Sequence, residues 1–201
     1  MPGAHEHIEH AEHTEHAAHS NKKVALLIAV IALFLAFSET LGKSAQTAAL
    51  NYQIEASNLW NFFQAKNIRR TVTIVASEQA KLEALAASDP AQKEALAKQI
   101  DTWTKTAERY RSEPEAGGGK GEGTAELSRR ALEEQEKRDT ALARYHHYEI
   151  ASAAFQIGIV LCSAAVITGM IALAFTAGGL ALVGLGFTAI GLFAPHAVHL
   201  F

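Results

Sequence analysis

Six histidines stand at the start of the chain, His5, His7, His10, His13, His16 and His19, interleaved with Glu6, Glu9, Glu12 and Glu15. Imidazoles beside carboxylates suit Zn²⁺, Ni²⁺ or Cu²⁺. From His7 onward the spacing is three, and each step of three falls about 60° short of a full helical turn. Five imidazoles therefore spread around a helix instead of lining one face, although each i,i+3 pair can still chelate. The expected chemistry is weak metal binding by the tail, with no resident cofactor. Against it stands a plain solvated lead whose charge changes as His protonates between about pH 5 and 7. The run His5-Glu6-His7-Ile8-Glu9 has Glu where a HExxH zinc motif needs its second His.

The other candidates are sparser. Glu39 is the one ionisable residue inside a membrane-length apolar window, and an intramembrane carboxylate is a functional candidate by default. Its place near the end of that window also suits interfacial anchoring or a pair with Lys43. Gly42-Lys43-Ser44 superficially resembles a phosphate-binding loop, but position 37 is Phe where that motif needs Gly. Tyr145-His146-His147-Tyr148 precedes a long apolar run and reads as an aromatic belt at a water–lipid boundary. His196 and His199 are spaced for one face near the C-terminus. The lone cysteine, Cys162, excludes a disulfide framework. No nucleophile–base pair, dense ligand set or phosphate loop emerges, so no catalytic residues are assigned and enzyme activity is not expected.

The elements that must position these groups follow from charge segregation. Of the 18 Lys and Arg, two precede the first apolar run, sixteen lie between 43 and 149, and none follows. From Ile150 to Phe201 there is no Asp, Glu, Lys or Arg, too long an uncharged stretch for the core of a 201-residue soluble chain. No basic patch stands out, which argues against nucleic acid. Residues 1–21 are polar and biased, expected to be disordered when isolated. Residues 22–42 hold fourteen uninterrupted apolar residues, Val24 to Phe37, flanked by Lys23 and Lys43. The interval measures about 28 Å as a helix, close to a hydrocarbon core. Residues 150–175 and 180–201 complete three transmembrane helices, with Ala177-Gly178-Gly179 expected to turn the chain between them. The expected class is therefore all-α and integral to the membrane.

Residues 43–149 are expected to form an extramembrane helical hairpin. From Ser44 to Ala87 there is neither Pro nor Gly, so one helix of about 67 Å can continue outward. Leu50, Ile54, Ser57, Asn61, Gln64, Ile68, Thr71, Val75, Glu78, Leu82 and Leu85 step by alternating fours and threes, with a polar middle. Tyr52, Ala56, Leu59 and Phe63 form a second stripe, read as lying beside the first to make one wide buried face and not a narrow dimer seam. The polar positions suggest a specific partner or register. Trp60, Phe62 and Phe63, among Asn58, Asn61, Gln64 and Asn67, suggest a tight helix contact, either core or an oligomer or partner interface. Ser88-Asp89-Pro90 stops one helix and starts the next. Pro114 and the glycines up to 123 mark a flexible loop, 114–123. The two returning helices sum to roughly 74 Å, so that loop should lie partway down the returning arm. In the second span Ala154, Gly158 and Cys162 repeat every four residues, a spacing that lets helices approach closely.

The segment KVALLIAVIALFLAFSETLGKSAQTAALNYQIEASNLWNFFQAKNIRR, residues 23–70, resembles the bacterial membrane proteins filed as domain of unknown function 4337. The likeness is most specific at 42–47 and 53–66 and extends over nearly the whole chain from Lys22. The resemblance implies a multi-pass inner-membrane protein with three spans and a helical middle, and no catalytic residues. Sidedness is weakly determined by the flanking charges, with a slight lean towards a cytoplasmic hairpin. The expected function is an oligomeric scaffold or assembly protein whose partners are the lipid bilayer and a second copy or another membrane protein. The alternatives are a metal- or proton-responsive transport or sensing component using the His/Glu tail, and an oligomeric pore.

Overall fold

The computed structural model describes the backbone of residues 4–198 and the side chains of residues 22–198. The side chains of the six N-terminal histidines, and His199 altogether, lie outside the described residues, and so do the expectations attached to them. Four helices follow in order: α1 (Ala4–Ala86), α2 (Pro90–Arg111), α3 (Thr124–Thr168) and α4 (Ile171–Phe193), with no strand among the described residues. The chain divides into two compact units, Met1–Ala49 with Asp139–Phe201, and Leu50–Arg138. Three helices are long and apolar enough to cross a membrane.

In the first unit, α1, α3 and α4 pack through small residues. Val24, Ile31, Ala151, Phe155, Cys162, Ala165, Ala174 and Ala177 form its buried cluster. Leu33, Phe37, Val160, Ile167, Phe175 and Leu182 stand exposed on its outside. Large apolar side chains outside and many small residues inside, with Ile31 and Phe155 filling the space between them, suit helices in an apolar medium, since close backbone approach supplies the packing. Gly158 shows the principle: a Cβ there would lie 3.4 Å from the carbonyl oxygen of Ala177 and 3.6 Å from Ile31. Ala154, Gly158 and Cys162 are all buried; Gly158 faces Ile31 of α1 and Ala177 of α4, and Cys162 belongs to the buried cluster.

The boundaries of the second and third spans are corrected. The turn is not at 177–179 but at Gly169-Met170, where Gly169 takes φ +71° and its N–H donates to the Ala165 carbonyl at 3.0 Å. A left-handed glycine just past the last turn ends a helix without the Cβ penalty other residues carry. Gly178 and Gly179 continue inside α4 and Ala177 is fully buried. The third span then ends at Phe193 rather than 201, since Pro195 has no N–H and disfavours helical backbone at Ala194.

In the second unit, Asp89 caps α2 by accepting from the Ala91 N–H at 3.0 Å, with Pro90 as the first helical residue. The segment 112–123 is a folded loop, not the loose break its glycines suggest. Gly121 N–H donates to Ala116 O at 3.0 Å and Glu122 N–H to Glu113 O at 3.1 Å. Gly117, Gly118, Gly119 and Gly121 all take positive φ, so these glycines make a shape that other residues resist. Glu126 ties the loop to α3, accepting from Ser112 Oγ at 2.6 Å and Glu113 N–H at 3.2 Å. The Ser112 hydroxyl, then the backbone N–H groups, hold its carboxyl below the usual carboxylate range. That contribution is present at neutral pH and is lost as pH falls through the lowered value. The loop lies beside Lys66, about midway along 43–87, as the arm lengths require.

Candidate functional site

At one end of the three-helix unit the small apolar packing gives way to polar contacts. Ser38, fully buried, donates from Oγ to the Tyr148 carbonyl at 3.0 Å. Gln156 Nε2 donates to Glu39 Oε1 at 3.2 Å. His147, 1% exposed, stacks on Phe187 at 6.1 Å and places Nε2 3.0 Å from the Pro195 carbonyl oxygen. A carbonyl only accepts, so Nε2 carries the proton and Nδ1, buried without a partner, holds a bare lone pair in the neutral ring. Gly191 makes room for this layer, because a Cβ there would meet Tyr148 Cε1 at 2.8 Å. A cavity of about 310 Å³ beside it is lined by Glu39, Lys43, Gln46, Tyr145 and Glu149 among others.

This arrangement changes two expectations. The Tyr145–Tyr148 quartet is not a lipid-facing belt throughout, because His147 and Tyr148 are buried between helices. Four consecutive residues at about 100° apiece circle most of a helix, so they cannot share one outward face. Glu39 takes Gln156 as its partner, and no ion pair joins it to Lys43 among the described residues. His196 lies within 3.1 Å of Thr140 Oγ1. No group of three or more His, Cys, Asp or Glu that could hold a metal occurs among the described residues.

In the second unit, α1 has two working faces. Leu59 packs with Leu127 and Ala131 of α3, joined by Trp60 and Phe63. Trp60 and Phe63 meet edge to face at 5.3 Å, while Phe62 stays 39% exposed under the Lys66 ammonium at 5.5 Å. Trp60 and Phe63 thus belong to the core of the hairpin itself and Phe62 to its rim. Asn58, Asn61, Gln64 and Asn67 stand exposed. The inward stripe continues from Tyr52, Ala56, Leu59 and Phe63 through Lys66, Arg70, Thr73, Ser77 and Ala80, all buried or half-buried. Every residue of the other stripe, Leu50 through Leu85, is exposed. The single wide buried face is therefore corrected to two stripes, whose centres lie about 160° apart at 100° per residue.

Lys66 is the site that residue types alone did not single out. It is 6% exposed, and its ammonium lies 2.9 Å from Glu113 and 3.8 Å from Glu122. The available signal was a cation directly following the apolar stretch Tyr52, Ala56, Leu59 and Phe63 on the inward stripe, which demands a counter-ion from elsewhere. Lys66→Ala is expected to cost about 2 kcal/mol, less than a fully buried pair because the carboxylates reach water. Lys66→Met should recover part of that by restoring the packed stem. Thermal unfolding of the detergent-solubilised chain checks both, and equal melting of all three proteins would remove the ion pair from the fold's energetics. Further along, Arg70 Nε and Ser77 Oγ are buried without partners beside a groove of about 260 Å³. Its size and polarity suit bridging water.

The family model described as Domain of unknown function (DUF4337) matches residues 20–194. The chain belongs to this family. No curated protein and no solved structure matches it. Both the polar layer around Ser38 and the two-faced stretch of α1 fall inside the matched DUF4337 region, while nearly all of the His/Glu lead lies before it.

Proposed function

We propose that this DUF4337 protein is a multi-pass scaffold or assembly protein of the bacterial inner membrane, acting through contact and not catalysis. The observation that supports this reading is the outer stripe of α1. Leu50, Ile54, Ile68, Val75, Leu82 and Leu85 are each between 57% and 83% exposed along one line of the hairpin unit. Isolated exposed apolar residues are ordinary, but an aligned series marks an interaction surface. Three helices long and apolar enough to cross a membrane would anchor the chain, and in this reading the hairpin faces the cytoplasm, the side towards which the flanking charges lean slightly.

Chemical crosslinking in native membranes tests this. The wild-type chain should give higher-mass complexes, which Ile68→Lys with Val75→Lys should remove while melting stays within about 0.5 kcal/mol of wild type. Deleting residues 1–20 should leave the complexes intact. Unchanged complexes in the double variant, together with stoichiometric Zn, Ni or Cu lost on deleting the tail, would replace this reading with metal sensing or transport.

A further inference from the structure

The scaffold reading leaves open what covers the outer stripe, and the spacing of that stripe narrows the answer. Its steps alternate four and three from Leu50 to Leu85, five heptads with Ile54, Asn61, Ile68, Val75 and Leu82 at a positions. Leu50, Ser57, Gln64, Thr71, Glu78 and Leu85 take the d positions. Four of the five a positions are apolar, and a seven-residue repeat on a helix, drifting about 20° per heptad against straight geometry, is satisfied by a partner helix that supercoils with it. α3 does not fill this role, because Leu127 and Ala131 pack on the opposite stripe at Leu59, and all eleven stripe positions stay exposed.

We infer that the partner is a second copy of this chain, and that the two outer stripes form a parallel, two-stranded coiled coil in which Asn61 sets the register. This rests on the proposed interaction role and names its partner. Three observations carry it. Ile54, Ile68 and Val75 are β-branched residues at a, and Leu50 and Leu85 stand at d at the two ends, the combination that parallel two-stranded coils prefer. Asn61 is a single amide at an a position between isoleucines, where two copies can pair amide to amide and any other register leaves it facing an apolar side chain. The area also fits. At roughly 100 Å² of exposed side chain each, six stripe residues and the neighbouring Val72 from two copies would bury about 1,400 Å², within the range of specific interfaces.

The direction follows from the register: only parallel copies set Asn61 beside Asn61, since antiparallel strands place a against d. The polar d positions Ser57, Gln64, Thr71 and Glu78 weaken the seam, and confinement to one membrane offsets this by raising the effective concentration.

Single cysteines in the full-length chain, with Cys162→Ala as background, test the proposal after reconstitution in lipid vesicles and in native membranes. Asn61→Cys, Ile68→Cys and Val75→Cys should each form a disulfide-linked homodimer about tenfold faster than Glu55→Cys, Arg69→Cys or Glu83→Cys, because same-position a residues face each other across the seam within disulfide reach while b positions point away from it. Asn61→Val should keep or strengthen association while admitting higher oligomers. Equal crosslinking on both faces, or none on either, overturns the inference. So does a crosslink that forms only when distant positions such as Ile54→Cys and Leu82→Cys are mixed, which means antiparallel copies. If the a-position cysteines capture a different protein in native membranes and never a second copy, the self-pairing falls while the scaffold reading stands. If they capture nothing there, both fall.

Discussion

Gly123→Ala is expected to unseat the 112–123 loop and to cost about 3 kcal/mol, near the upper end for overpacking. A Cβ at this position would lie 2.5 Å from Ser112 Cα and 2.7 Å from Glu113 N, and would also run into Glu126 Oε2. The first two are backbone atoms and cannot swing aside. Relief would pull Glu113 away from Lys66 and loosen the Glu126 contacts, so local strain spreads into the buried ion pair. Gly118→Ala is the control: nothing lies within 4 Å of its Cβ, and only the backbone at φ +68° resists, at about 1 kcal/mol. Thermal unfolding in detergent should separate the two variants, and limited proteolysis should cut Gly123→Ala within the loop first. A Gly123→Ala protein melting like wild type would show that Ser112 and Gly123 are not in contact.

The second large effect lies in the membrane-length unit. Phe155 is fully buried, stacked with Phe34 at 6.2 Å between centroids, and covers Gly184. Phe155→Ala should cost about 3 kcal/mol, the lower end for this truncation, because detergent, an apolar outer medium, leaves packing as the main loss. Gly184→Ala should cost about 2 kcal/mol by overpacking, since its Cβ would stand 2.7 Å from Phe155 Cε1. Together the two should cost at least about 1 kcal/mol less than their sum, because the new methyl enters the space the ring vacates. A double-variant cycle on melting in detergent measures this. Strict additivity would mean that Phe155 and Gly184 are not neighbours.

Much of the architecture was legible in the chain itself. The absence of charge after Glu149 and the apolar run from Val24 to Phe37 determine where membrane-length helices lie, because burying ions is costly wherever they sit. Asp89-Pro90 determines the end of one helix and the start of the next through local backbone chemistry. The alternating fours and threes determine that α1 carries heptad stripes. These are properties of neighbours in sequence, so a sequence contains them.

Tertiary structure decided what depends on residues far apart. Gly169, Gly178 and Gly179 give similar turn signals, and packing chose Gly169, since Ala177 has to remain helical to approach Gly158. The counter-ions of Lys66 come from positions 47 and 56 residues later, through a loop whose glycines read locally as slack. Both stripes of α1 satisfy the same period, and α3 selected the Leu59 side by placing Leu127 and Ala131 against it. Periodicity records that a face is apolar. Which partner covers it is set by the rest of the chain, and on α1 that leaves the Leu50–Leu85 face uncovered within its own unit.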